Sequence, residues 1–301
     1  MSASSAARTS ASDALFDPRL ARRKLSGTVF LSACLLAIAM LLLALLLLLI
    51  DVLTKGVPFL DLDFLGGVPS RIPSRAGILP ALVGSLEISV IVGVTAFPIG
   101  VAAAIYLVEY APDTFITRLL RTNIANLAGV PSIIYGIFGL ALFVRALHLG
   151  YSLMAGALTL VLLILPVVII ASMEALRAVP DSQREGAYAL GATRWQVIRG
   201  AVLPSAAPGI MTGIILAMSR AIGETAPLIL VGAVTFVTFL PTPLENGYTV
   251  LPIQVYQWAT RPQADFQAIA AATIIVVLVL MLLLNLLALV VRARLSRHVS
   301  W

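Results

Sequence analysis

Arg220 and Glu224 stand four residues apart inside an otherwise apolar run from about Ala206 to Val234. Four residues make one helical turn, so on a helix the two side chains share a face. At 1.5 Å per residue, Arg220 is expected about 21 Å into this run, near the middle of a bilayer. An arginine at that depth costs about 2.5–3.5 kcal/mol on insertion scales, and a span seldom keeps one without a task. Two tasks compete. The pair can be a structural ion pair that locks this span to its neighbours. Alternatively the guanidinium, always charged and planar, can offer its fork to a passing tetrahedral oxyanion. Glu224 would then moderate the field so that the anion leaves as well as enters. One arginine does not discriminate among such anions.

A second stretch interrupts two apolar runs with about thirty residues that cannot sit in lipid. Its centre runs from Val179-Pro180-Asp181-Ser182 through Arg184-Glu185-Gly186-Ala187-Tyr188 to Gly191, and on to Thr193-Arg194-Trp195-Gln196-Val197-Ile198-Arg199. Asp181 or Ser182 can cap a helix, with Glu185 near its first turn, where the dipole favours a carboxylate. Gly191 is a good helix stop. Thr193 is expected to cap a second short helix carrying Trp195 and Ile198 on one face, and Pro204 to open the next span. Two short helices around a glycine hinge make a knob. Such a knob can fit a partner's groove, with Tyr188 and Trp195 as anchors and arginines at the rim; composition alone equally allows an interfacial hairpin with no partner.

Other chemistry is sparse. Nucleotide hydrolysis needs a phosphate-cradling loop ending in a lysine, and the only lysines, Lys24 and Lys55, follow no such loop. Cys34 is the single cysteine, so no intrachain disulfide exists. His148 and His298 are far apart, and no His, Cys and carboxylate group has metal-ligand spacing. Glu87, in the outer half of another apolar run, reads as a structural partner for Arg220 or as a side chain reaching for the outer surface. Asn123, Asn126, Ser132 and Asn285 read as hydrogen-bonding glue between helices.

The elements that must hold these residues follow from composition. The 301 residues are 60% hydrophobic and 11% charged, against about 25% charged in a soluble domain. That excludes an ordinary soluble enzyme and a disordered protein, and lipid is the second solvent such a chain needs. The net charge of +6 acts as an orientation signal and not as a nucleic-acid footprint. Six spans are expected: about 29–50, 78–108, 124–147, 153–173, 206–234 and 266–291. With the N-terminus inside, fourteen Lys and Arg fall on the inner segments and five on the outer ones. This puts both termini and the 174–204 loop in the cytoplasm. Residues 1–24 read as a disordered cytoplasmic tail, 25–77 as the first helix and an outer loop, 78–292 as a five-helix core, and 293–301 as a cytoplasmic C-terminal tail.

Glu185-Gly186-Ala187, then Gly191, then Leu203-Pro204 resembles the EAA loop of bacterial ABC-transporter permeases, with Gly186 and Ala201 departing from the usual residues. Within that family the strings Pro180–Ser182, Arg184-Glu185, Ala187–Gly191, Trp195, Gly209–Ile214 and Arg220–Leu228, with Leu251-Pro252-Ile253, resemble the phosphate permease subfamily, PstA. The resemblance runs from about Leu79 to the C-terminus. It implies an all-α integral membrane protein of the type I ABC importer permease fold, whose loop is the coupling helix that docks into an ATPase. It implies that Arg220 meets phosphate in transit with Glu224 beside it, and that Glu185, Ala187, Gly191, Arg194 and Trp195 serve coupling. It further implies a PstC-like sister permease, two copies of a PstB-like ATPase that bind the ATP and magnesium, and a PstS-like external phosphate-binding protein. The outer segments 51–77 and 237–265 would receive the last of these. No cofactor is expected in this chain itself, and the location implied is the bacterial cytoplasmic (inner) membrane.

Three function classes are weighed. A permease subunit of an ABC importer is favoured by the knob and the missing ATP loop. A self-contained secondary transporter often carries repeated halves, and no repeat is found here. An intramembrane enzyme would need a converging catalytic cluster, and none is visible.

Overall fold

The computed structural model describes residues 18–233, 236–244 and 247–296. It divides into two units, residues 1–54 and 55–301. The described part of the first is helix α1 (Pro18–Gly56), whose last two residues pass the division. Its leucine run from Leu41 to Leu49 favours helix and is apolar on every side, with exposed side chains throughout, the form of a lipid-crossing helix. The helix begins inside the segment expected as a tail. Residues 1–17 of that tail lie outside the described residues.

The second unit is helical, and among the described residues its only β pairing is an isolated bridge between Ala233 and Tyr248. Its long helices are α2 (Leu79–Ile105), α5 (Leu153–Arg177), α8 (Leu203–Gly223) and α11 (Ala264–Ser296). Between them lie α3 (Phe115–Ala128), α4 (Ser132–Gly139), α6 (Asp181–Ala189), α7 (Arg194–Val197), α9 (Ala226–Leu230) and α10 (Leu251–Ala259). Among the described residues, five helices are long and apolar enough to cross a membrane, or six if a bent pair counts as one span. α11 runs to Ser296, so the C-terminal tail expected from residue 293 starts as helix, and 297–301 lie outside the described residues.

α5 is the axis of the bundle. Its apolar window is 67% buried, against 33% for α2 and 28% for the helix that includes α8. Ser152 caps it by accepting from the Ala155 N–H at 3.3 Å, and Arg177 complements the dipole in its last turn. Small residues let the neighbours close in. A Cβ on Gly209 or Gly213 of α8 would meet Ala175 or Ala171 of α5 at 2.8 and 2.3 Å. Helices packed in lipid gain chiefly from such close van der Waals contact.

Two spans differ from the sequence expectation. The third is not one helix: α3 and α4 meet at 103°. Pro131 has no N–H to give and restricts Val130 before it, so Gly129-Val130-Pro131 ends one helix and starts another. The fifth does not start at Pro204. α7 runs through a π turn, Ile198–Val202, into α8 as one helix from Arg194 to Gly223. A proline inside a helix loses a backbone bond and crowds the carbonyl four residues back; the widened π turn just before Pro204 accommodates both effects.

Candidate functional site

The loop 178–199 is a hairpin built by its own backbone. Pro180 leads α6 with no side-chain cap; Asp181 and Ser182, expected as caps, fall in the first turn instead. The Gly191 N–H donates to Tyr188 O at 2.9 Å and the Ala192 N–H to Ala187 O at 3.2 Å. Gly191 turns the chain at φ +80°, a left-handed angle that a side chain would strain. Thr193 then caps α7 as expected, with Gln196 closing the capping box from Oε1 to the Thr193 N–H at 2.7 Å.

The two faces of the hairpin separate cleanly. Val197 and Val202 are buried with Leu107, Ile169, Met173, Leu176 and Ala206, and Ala187 packs against this seat. Trp195 is 55% exposed, while Ile198 has no exposed surface. The two were expected on one face and they are not: three residues on, across the start of the π turn, the helix has turned Ile198 inward. Glu185, Tyr188, Leu190 and Trp195 stand on the exposed rim, and Leu190 is 90% exposed. A row of two aromatics and a leucine on a rigid base is what a partner's groove would receive.

Arg184, which the sequence offers only as part of the string Arg184-Glu185 and not as an anchor, holds the hairpin to the bundle. Its guanidinium donates to the Val179 and Leu176 carbonyls at 2.6 and 2.8 Å and to Asp181 Oδ1 at 3.1 Å. It also donates to Glu109 Oε1 at 3.1 Å. The Arg184 and Glu109 side chains are only 16% and 9% exposed. Glu109 lies 75 residues away, which is why spacing could not reveal the pair. Arg194, expected at the rim, lays its guanidinium 4.9 Å from the centroid of the Tyr110 ring.

Arg220 and Glu224 do meet. Arg220 Nε donates to Glu224 Oε1 at 3.3 Å, with side-chain exposures of 40% and 15%. Their setting is not a continuous helix interior. Arg220 is in the last turn of α8, where the negative end of the dipole favours a cation. Glu224 caps that end in extended backbone, ψ 132°. α9 follows after a break and packs tightly on α4: a Cβ on Gly136 would lie 2.7 Å from Pro227 Cα. Glu87 is not the partner of Arg220. Its Oε2 is buried with no hydrogen-bond partner among the described residues. Of the expected glue residues, Asn285 accepts from Ser219 Oγ at 2.9 Å, joining α8 to α11.

The geometry therefore offers two features, an anchored hairpin with an exposed aromatic rim and a charge pair at a helix break. Residues 96–297 match the family model for the binding-protein-dependent transport system inner membrane component. The chain is 41% identical over 203 residues to the phosphate transport system permease protein PstA of Mycobacterium leprae, an alignment spanning 66% of this chain and 66% of that protein. It is 35% identical over 261 residues to the protein of the same description from Pasteurella multocida, covering 84% of this chain and 90% of that one. Among solved structures it is similar to the inward-facing MetNI methionine ABC transporter, with TM-score 0.57 and 22% identity over 74% of this chain and 96% of that one, a likeness of fold.

Proposed function

This chain belongs to the family of binding-protein-dependent transport system inner membrane components, and from that premise we propose that it forms half of a path by which inorganic phosphate is imported. The substrate rests on the relatives described as phosphate permeases. The single observation that carries the coupling role is the hairpin: its exposed rim of Glu185, Tyr188, Leu190 and Trp195 sits on a base tied to the second and fourth spans. In this reading the rim docks into a separate ATPase, which binds ATP and magnesium, and Gly191 and Ala187 set the shape of the docked surface. Without an ATP site of its own, the chain works with a PstC-like sister permease, two PstB-like ATPase copies and a PstS-like external binding protein.

Arg220 faces the path and receives the anion, and Glu224 keeps the guanidinium from holding it. A single 3.3 Å bond to a partly exposed arginine leaves donors of the fork free for two oxygens of a phosphate. Both termini and the hairpin lie in the cytoplasm, on the fourteen-to-five distribution of basic residues. Labelled phosphate uptake, measured in vesicles carrying the whole complex against competing sulfate and molybdate, tests the function. ATP-dependent uptake resisted by neither competitor is expected. Uptake that survives ATP depletion, or that sulfate competes as well as phosphate, overturns it.

A further inference from the structure

The end of the second span is built unlike the rest of it. After Ile105 the helix widens into a π turn, Tyr106–Tyr110, closed by the Ala111 N–H donating to Tyr106 O at 2.8 Å. A π turn inserts one residue into the helical ladder, and such insertions recur at functional sites. Three arginines from three different elements converge on these five residues. Arg121 of α3 donates to the Leu107 carbonyl. Arg184 of α6 reaches Glu109, and Arg194 of α7 covers Tyr110. Leu107 and Glu109 are buried here, while Tyr110 is partly exposed.

The three contacts lead in different directions. Arg184 and Arg194 lie on either side of the Gly191 turn, so both arms of the hairpin are tied to adjacent residues. Arg121 belongs to the first half of the bent span, whose second half, α4, presses Gly136 against Pro227 just beyond Glu224. Hydrogen bonds and the chain of the bent span thus connect the hairpin, through the π turn, to the helix that follows the charge pair.

We propose that the Tyr106–Tyr110 turn is the fixture through which movement of the docked hairpin reaches the second and third spans. Glu109, Tyr110 and the Leu107 carbonyl are its positioning groups, acting through Arg184, Arg194 and Arg121. This rests on the coupling role proposed above for the hairpin. The fixture makes hairpin and second span move as one body, so weakening it lets the ATPase turn over while the spans lag behind.

The test uses the complete complex in proteoliposomes, reading phosphate taken up per ATP hydrolysed. Glu109→Gln keeps the shape and an acceptor and removes the charge; uptake per ATP falls about tenfold, with the ATPase still bound. Tyr110→Leu, at a partly exposed position that does not endanger folding, lowers it about threefold, and Tyr110→Phe, which keeps the ring, leaves it within the scatter of the unaltered complex. A second readout does not depend on what is transported. Spin labels at Asp113→Cys and Ser182→Cys, in a Cys34→Ala background, give a narrow distance distribution that stays the same with and without ATP, and Glu109→Gln broadens it. Unchanged uptake per ATP in the Glu109→Gln, Tyr110→Leu double variant overturns the fixture, as does an unbroadened distribution or loss of the ATPase from the complex. Should the unaltered complex import no phosphate, the substrate assignment fails, and the label distances still judge the fixture.

Discussion

Two of the arginine–glutamate pairs in the second unit use the same chemistry in opposite ways. Arg220 and Glu224 are neighbours on one turn, joined by a single 3.3 Å bond, with the arginine 40% exposed. Arg184 and Glu109 come from elements 75 residues apart, and the arginine is 16% exposed and satisfied by two carboxylates and two carbonyls. A guanidinium with five donors that spends four contacts on its own chain has little left for a ligand. One that spends a single weak contact is available. The difference separates an arginine that holds structure from one that can handle an anion.

That contrast can be broken most sharply by removing each arginine. Arg220→Ala is expected to abolish phosphate uptake, by 100-fold or more on the order of the loss of a charged transition-state contact, while the complex still assembles. The double change Arg220→Ala with Glu224→Ala decides between the two tasks of the pair: uptake restored by the second alanine means a structural ion pair, and uptake still absent means a path residue. Arg220→Lys keeps the charge without the fork and is expected to transport weakly.

Stability should rank the other way. Arg184→Ala strands a buried carboxylate and two carbonyls and is expected to cost about 3–5 kcal/mol, seen as a lowered unfolding temperature of the purified complex. Arg220→Ala leaves Glu224 in a more open setting and is expected to cost about 1–3 kcal/mol. Equal losses in a thermal-shift series would erase the distinction between the pairs.

The hairpin offers a smaller test on two glycines five residues apart. Gly191 sits at φ +80° with nothing within 4 Å of a built Cβ, so Gly191→Asp should cost about 1–2 kcal/mol through backbone strain alone. It is expected to loosen the ATPase in a pull-down and to lower uptake. Gly186, also with open space around a Cβ, lies inside α6 at an ordinary helical angle. Gly186→Ala should stabilise the hairpin by about 0.5–1 kcal/mol. If it lowers ATPase binding, the bare backbone at 186 is itself part of the docked surface.

Much of this was legible in the sequence, and the limits have physical causes. Hydropathy marks every span because lipid demands about twenty apolar residues in a row, and the Arg220–Glu224 pair is visible because helical neighbours are fixed by periodicity. The Gly129-Val130-Pro131 triplet is as readable as any, but a proline in a span permits anything from a kink to a 103° corner. Packing of α4 on α9 and α5 decides which. Pro204 reads as the start of the fifth span, yet the helix runs through it, because the π turn that tolerates it has no residue signature. The same turn sends Ile198 inward and leaves Trp195 outside. The Arg184–Glu109 bridge lies beyond any local reading, since it forms only when the second span, the fourth span and α6 have met.

The unbroken helix from Arg194 to Gly223 has a consequence for register. The residue that covers Tyr110 and the residue that pairs with Glu224 are mounted on one shaft with no joint between them, so a twist applied at one end is delivered at the other. The azimuth between the two arginines is fixed by the extra residue stored at Ile198–Val202. Deleting one residue from the ordinary winding beyond that turn, between Leu203 and Ser219, would turn Arg220 by about 100° relative to Arg194. The charge would then point at a different neighbour while every local contact of the hairpin stayed in place.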